Sequence, residues 1–153
     1  MITREAIVAA ARDFLGTPYH HQASVKGVGC DCLGLIRGVW RECCGPEPEA
    51  MPAYTRDWGD AAGSEPLLAA ACRHLVALDD PKRAETGDIL VFRMKDRGVA
   101  KHAGILVRAQ VARSAVAQQR LVHAQEELGV VEIELGSWWR RRLVAAFAFP
   151  GII

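Results

Sequence analysis

The chain has 153 residues, of which 50% are apolar and 24% charged, with a formal net charge of +1. That length suffices for one domain, spanning 1–153, with a substantial core, and the balanced charge excludes global attraction to nucleic acid or to an anionic membrane. Recognition has to come from a local site.

The start, Met1-Ile2-Thr3-Arg4-Glu5, lacks a basic segment followed by a continuous apolar run, and no later apolar run is long enough to cross a bilayer. The expectation is a chain made in the cytoplasm without an export signal and without membrane insertion. Thr3 is placed to cap a helix whose inward face is Ile7, Val8, Ala11, Phe14 and Leu15, ended by Gly16 and Pro18. A loop with Tyr19, His20 and His21 leads to Gly27 and Gly29. From Asp31, the positions Cys32, Ile36, Val39, Trp40 and Cys43 fall along one side of a second helix, which Gly45-Pro46 stops.

The stretch from Pro46 to Gly63, rich in proline, glycine and acidic residues, reads as a long surface loop. Ser64 then opens a third helix with Leu67, Leu68, Ala71, Cys72 and Leu75 inward. After Asp79-Asp80-Pro81 the apolar period becomes that of strands: 88–94, 102–107, 120–124, 130–135 and 143–149. The interval 109–119 carries no strong pattern. Helices first and strands afterwards predict an α+β domain, with N-terminal helices packed on an antiparallel sheet.

Five cysteines, Cys30, Cys32, Cys43, Cys44 and Cys72, form an odd set without disulfide-scaffold spacing, which points to a reducing compartment and a free thiol. Cys43 and Cys72 fall on apolar helix faces. Cys32 opens a helix, where the dipole and unpaired N–H groups favour a thiolate and a developing oxyanion. His102 and His123 lie in strand-like runs, so the three read as nucleophile, base and orienting partner. Cys30, which precedes the helix, is the rival nucleophile. His20, His21, Cys30 and Cys32 crowd one region, but their spacing matches no usual zinc pattern, and neither metal nor cofactor is expected.

The ordered motifs Gly16-Thr17-Pro18-Tyr19, Gly29-Cys30-Asp31-Cys32-Leu33-Gly34-Leu35, Gly87-Asp88-Ile89-Leu90-Val91-Phe92, His102-Ala103-Gly104-Ile105 and His123-Ala124 resemble those of the NlpC family of papain-like cell-wall peptidases. The resemblance implies a papain-like fold and hydrolysis of an amide bond in the peptide stem of bacterial peptidoglycan. It assigns Cys32 as nucleophile, His102 as general base and His123 as the group that orients it. Tyr19 is implied in substrate binding or the oxyanion site, and Asp31 in shaping the substrate pocket. Leu33 stands where the family usually has serine.

The closing pattern Trp138-Trp139-Arg140-Arg141-Arg142 to Phe147-Ala148-Phe149-Pro150 is similar to peptidases encoded among the tail genes of phages and gene transfer agents. That similarity implies a tail or baseplate partner, a place in the virion or particle tail, and action in the target cell wall. The tryptophan pair and the arginines read either as a core edge with solvated charges or as the docking patch for that partner. Two other functions stay open: a thiol acyltransferase or amidase on another acyl substrate, and a non-catalytic tail component.

Overall fold

The computed structural model describes residues 2–48, 66–94, 100–108 and 119–152. Helix α1 (Arg4–Asp13) begins at Thr3, whose side chain accepts the Ala6 N–H, and buries Ile7, Val8, Ala10 and Ala11. Because it stops at Asp13, Leu15 drops out of the period and is 41% exposed rather than inward. Strands β1 (Ser24–Val25) and β2 (Gly29–Cys30) make a small antiparallel hairpin. Helix α2 (Cys32–Cys43) buries Gly34, Leu35, Gly38 and Val39. A β-carbon on Gly38 would stand 2.3 Å from the Phe14 ring, so glycine there is what lets α1 and α2 close on each other.

Helix α3 (Pro66–His74) is followed by strand β3 (Val76–Ala77) and a 3-10 turn, Pro81–Arg83, capped by Asp80. The remainder is β4 (Ile89–Arg93), β5 (Ala100–Arg108), β6 (Arg120–Gln125), β7 (Gly129–Glu134), helix α4 (Ser137–Arg142) and β8 (Leu143–Ala148). The sheet runs β3-β8-β4-β5-β6-β7 with every neighbouring pair antiparallel. A bridge between Ile2 and Ile152 ties the chain ends together.

Alternation along the strands builds a core on each face. Ile89, Val91, Ala103, Ile105, Val122 and Phe147 pack with Ile7, Phe14, Leu35 and Val39 from the helices. On the other face Leu90, Phe92, Leu106, Leu121 and Ala146 pack with Leu135, Leu143 and Trp139.

The α+β architecture with helices on an antiparallel sheet is the expected one, and the five strands are found within two residues of their sequence limits. The hairpin β1–β2, the edge strand β3 and helix α4 were not legible: the two-residue strands and the six-residue helix are too short to show a period. Cys72 is exposed, against the inward expectation, because it lies one residue round the helix from buried Ala71. The Ser64 cap, most of the 46–63 loop and the 109–118 interval lie outside the described residues. Among the described residues no helix is long and apolar enough to cross a membrane.

Candidate active site

Cys32 is the first residue of α2, and the turn before it is held by Asp31. The Asp31 carboxylate is 2% exposed; Oδ1 accepts the Gly34 N–H at 2.7 Å and Oδ2 accepts the Gln22 N–H at 2.7 Å. One side chain thus caps the helix and ties it to the loop that carries Tyr19. A β-carbon on Gly34 would stand 1.9 Å from the Ala23 carbonyl oxygen, so only glycine permits this approach. Tyr19 is bridged through its backbone to Cys30, and its half-buried ring packs on the helix-side core.

The Cys32 sulfur faces the strand that carries His102. Sγ lies 3.8 Å from the Lys101 carbonyl oxygen, and the Ala103 N–H also points to it, so it touches the backbone on both sides of His102. His102 pairs with Phe92 across β4 and β5, and register shifts on either side of Phe92 bend the sheet at this point. On β6, His123 is 1% exposed, and its Nδ1 is 2.8 Å from Nε2 of His102. With Nε2 engaged by His123, Nδ1 is the other ring nitrogen of His102. His102 and His123 thus form a side-chain pair, and the Cys32 sulfur meets the same strand at the backbone on either side of His102.

At Cys32 the helix-start N–H groups, which favour a thiolate, are opposed by burial. Burial, with the neighbouring Asp31 charge second, pushes the Cys32 thiol up to about 12, against the opposing pull of the Ala103, Leu33 and Cys32 N–H groups. Burial, then the adjacent His123, lowers His102 to about 3, and burial lowers His123 to about 4. Burial thus favours the neutral form of the thiol and of both imidazoles.

Cys30 is fully buried; its Sγ donates to the Asp31 carbonyl, and burial pushes the thiol up to about 12. His20 is exposed and half-buried His21 has Nδ1 3.9 Å from Asp31 Oδ2. Among the described residues, no three His, Cys, Asp or Glu side chains converge as metal ligands. Leu33 lines an apolar recess between α2, α3 and the sheet, shared with Ile36, Trp40, Ala71, Val91 and Ala103.

Of the two readings of the tryptophan pair, Trp139 takes the core edge: its indole lies 5.0 Å from the His123 ring, 5.7 Å from the His102 ring and 5.0 Å from Phe92, centroid to centroid. Only Trp138, 41% exposed with Arg142 stacked on it at 3.9 Å, keeps a face outward. The signal was the alternation of outward Trp138 with inward Trp139, hidden by the shortness of α4.

The pattern that defines the NlpC/P60 family matches residues 16–147. No curated protein matches the chain in sequence. Among solved structures, the fold is similar to an NlpC/P60 family protein of Bacillus cereus (TM-score 0.61, 18% identity), covering 94% of this chain and 39% of that one. It is also similar to the NlpC/p60 domain of the peptidoglycan hydrolase SagA (TM-score 0.60, 21% identity, 95% and 98% covered). A third similar structure is NlpC1 of Trichomonas vaginalis (TM-score 0.56, 17% identity, 95% and 43% covered). The chain thus spans about two fifths of the Bacillus and Trichomonas proteins and nearly all of the SagA domain.

Proposed function

Because this chain belongs to the NlpC/P60 family, we propose that it is a cysteine hydrolase that cleaves an amide bond in the peptide stem of bacterial peptidoglycan, with 1–153 acting as one catalytic domain. The observation that carries the reading is the Cys32 sulfur at the start of α2, seated against the Lys101 carbonyl and the Ala103 N–H that flank His102, with Nε2 of His102 2.8 Å from His123. The similarity to the SagA domain, itself described as part of a peptidoglycan hydrolase, supports the same class of substrate.

In this mechanism Nδ1 of His102 takes the Cys32 proton and the sulfur attacks the amide carbon. The N–H groups of Cys32 and Leu33 hold the oxyanion at the start of α2. Collapse of the tetrahedral species breaks the C–N bond, and protonated His102 gives its proton to the leaving amine. Water, deprotonated by the same imidazole, then hydrolyses the thioester. Asp31 acts here by holding the helix start and the Tyr19 loop in place, rather than by touching substrate.

The test is digestion of purified peptidoglycan and of defined muropeptides, read by mass spectrometry, with Cys32→Ala as control. New amine and carboxyl termini in the stem peptide support the reading. Transfer of an acyl group without hydrolysis would favour the acyltransferase alternative, and no product from any stem peptide would overturn the peptidase.

A tail-associated place in a phage-like particle is the finer form of this proposal, and its support is the resemblance of the 138–150 segment to tail-gene peptidases. Since Trp139 is engaged at the histidines, the docking patch reduces to Trp138 and the adjoining arginines. Trp138→Ala should lower incorporation into particles while leaving muropeptide cleavage intact. Full incorporation of that variant would remove the patch as the anchor.

A further inference from the structure

His123 is buried with only one of its ring nitrogens accounted for. Nδ1 meets His102, whereas Nε2 is buried without a hydrogen-bond partner among the described residues. The His102–His123 contact shares one proton, so the neutral pair has two forms. In the first, His102 donates from Nε2; its Nδ1 is then bare and able to accept the Cys32 proton, and His123 carries its own proton on Nε2. In the second, His123 donates from Nδ1; His102 then carries its proton on Nδ1 and cannot act as base, while His123 leaves a bare lone pair at Nε2. Which form prevails depends on what surrounds that buried nitrogen.

Trp139 stands beside it. The indole and the His123 ring are 5.0 Å apart and inclined at 76°, the arrangement in which an edge of one ring points at the face of the other. The same indole lies at 36° to the His102 ring, 5.7 Å away, and is itself held between Phe92 at 5.0 Å and Trp138 at 4.9 Å. An aromatic face is negative: it attracts an N–H and repels a nitrogen lone pair. We propose that Trp139 is a positioning residue whose indole face receives the Nε2–H of His123, and so holds the histidine pair in the form that leaves Nδ1 of His102 free to take a proton. Helix α4 thereby contributes to the site without touching substrate. The inference rests on His102 being the base of the proposed hydrolysis.

The decisive measurement needs no substrate: nitrogen-15 NMR of the histidine rings in the whole chain at pH 7. Both His102 and His123 should be protonated at Nε2. A wild-type protein with His123 protonated at Nδ1 overturns the inference outright, whether or not any variant folds. Trp139→Phe, which keeps a π face, should retain the tautomers and most of the turnover. Trp139→Leu, which fills space without one, should move the pair toward the second form and lower kcat on a cleaved muropeptide by about fivefold to tenfold with KM unchanged, the scale of one weak N–H to π contact. Unchanged tautomers and kcat in a folded Trp139→Leu protein would also overturn it. If the NMR result holds but wild type cleaves no stem peptide, the substrate reading fails and the tautomer assignment stands. If cleavage occurs and survives in His102→Ala, the assignment of the base fails instead.

Discussion

Nε2 of His102 and Nδ1 of His123 meet at 2.8 Å although they are not register partners. Continuing the Ile105↔Val122 pair places Gly104, not His102, opposite His123. The two imidazoles therefore meet diagonally, across a position that has no side chain. A β-carbon on Gly104 would come within 2.9 Å of Leu121, the neighbour of His123 in sequence two residues back, so the small residue also lets the second core close beneath the pair.

This geometry makes the roles of the two histidines separable. His102→Ala removes the proton acceptor and should lower kcat/KM for muropeptide cleavage by about 10²–10⁴-fold. His123→Gln keeps an amide oxygen that can accept the His102 N–H, and should lose less. Steady-state kinetics of the two variants give the order. Equal loss would mean that His123 does more than orient, and an unaffected His123→Gln would remove it from the site.

The two thiols nearest the helix start differ in their surroundings. Cys32→Ala should abolish turnover while thermal unfolding changes little, since the position is half-buried at a helix end. Cys30→Ala, inside the core with its Sγ on the Asp31 carbonyl, should cost about 1–2 kcal/mol of stability yet remain active. Activity in the first and none in the second would transfer the nucleophile to Cys30.

A neutral resting site has a kinetic signature. With the Cys32 thiol pushed up to about 12 and His102 down to about 3, the thiolate is scarce across the neutral range and grows as pH rises. Alkylation of Cys32 by iodoacetamide without substrate should therefore be slower at pH 7 than that of a free cysteine, rising by about tenfold per pH unit up to pH 9. Single-site labelling measured by mass spectrometry checks this. Fast labelling that is flat between pH 5 and 8 would reveal a preformed thiolate–imidazolium pair.

The helices and the long strands were readable because each repeats its apolar period over several residues, and Thr3, Asp31 and Gly45 mark helix limits that the structure keeps or nearly keeps. Cys32, His102 and His123 could be singled out because they fall at a helix start and in two strands, in motif order. What escaped was non-local. The ionisation of Cys32 depends on burial against β5, which no helix-start rule contains. The contact of Trp139 with the two histidines joins α4 to β5 and β6, and its local sequence, an aromatic pair beside three arginines, offered a core edge without saying which side chains it would meet. Asp31 was expected to shape the substrate pocket, and the backbone it would act through, the Gly34 and Gln22 N–H groups that its two carboxylate oxygens accept, is also set by the fold.

That last arrangement yields a test that separates support from substrate contact. Asp31→Ala removes the acceptor for the Gly34 and Gln22 N–H groups, both at 2.7 Å, and leaves buried donors without it. Loss of the cap alone costs about 1–2 kcal/mol, and the abandoned donors add to that. Asp31→Asn preserves shape but can offer only one oxygen, so it turns an amide N–H₂ toward one of the two backbone donors and should recover only part of the loss. Denaturant unfolding should rank wild type above Asn above Ala, and kcat should fall in the same order because the Cys32 N–H and sulfur move with the helix start. A side chain that served substrate alone would show the opposite split: unfolding free energies that coincide across the three proteins, with KM rising while kcat and the melting curve stay put. That result would return Asp31 to the pocket and leave the helix start without its cap.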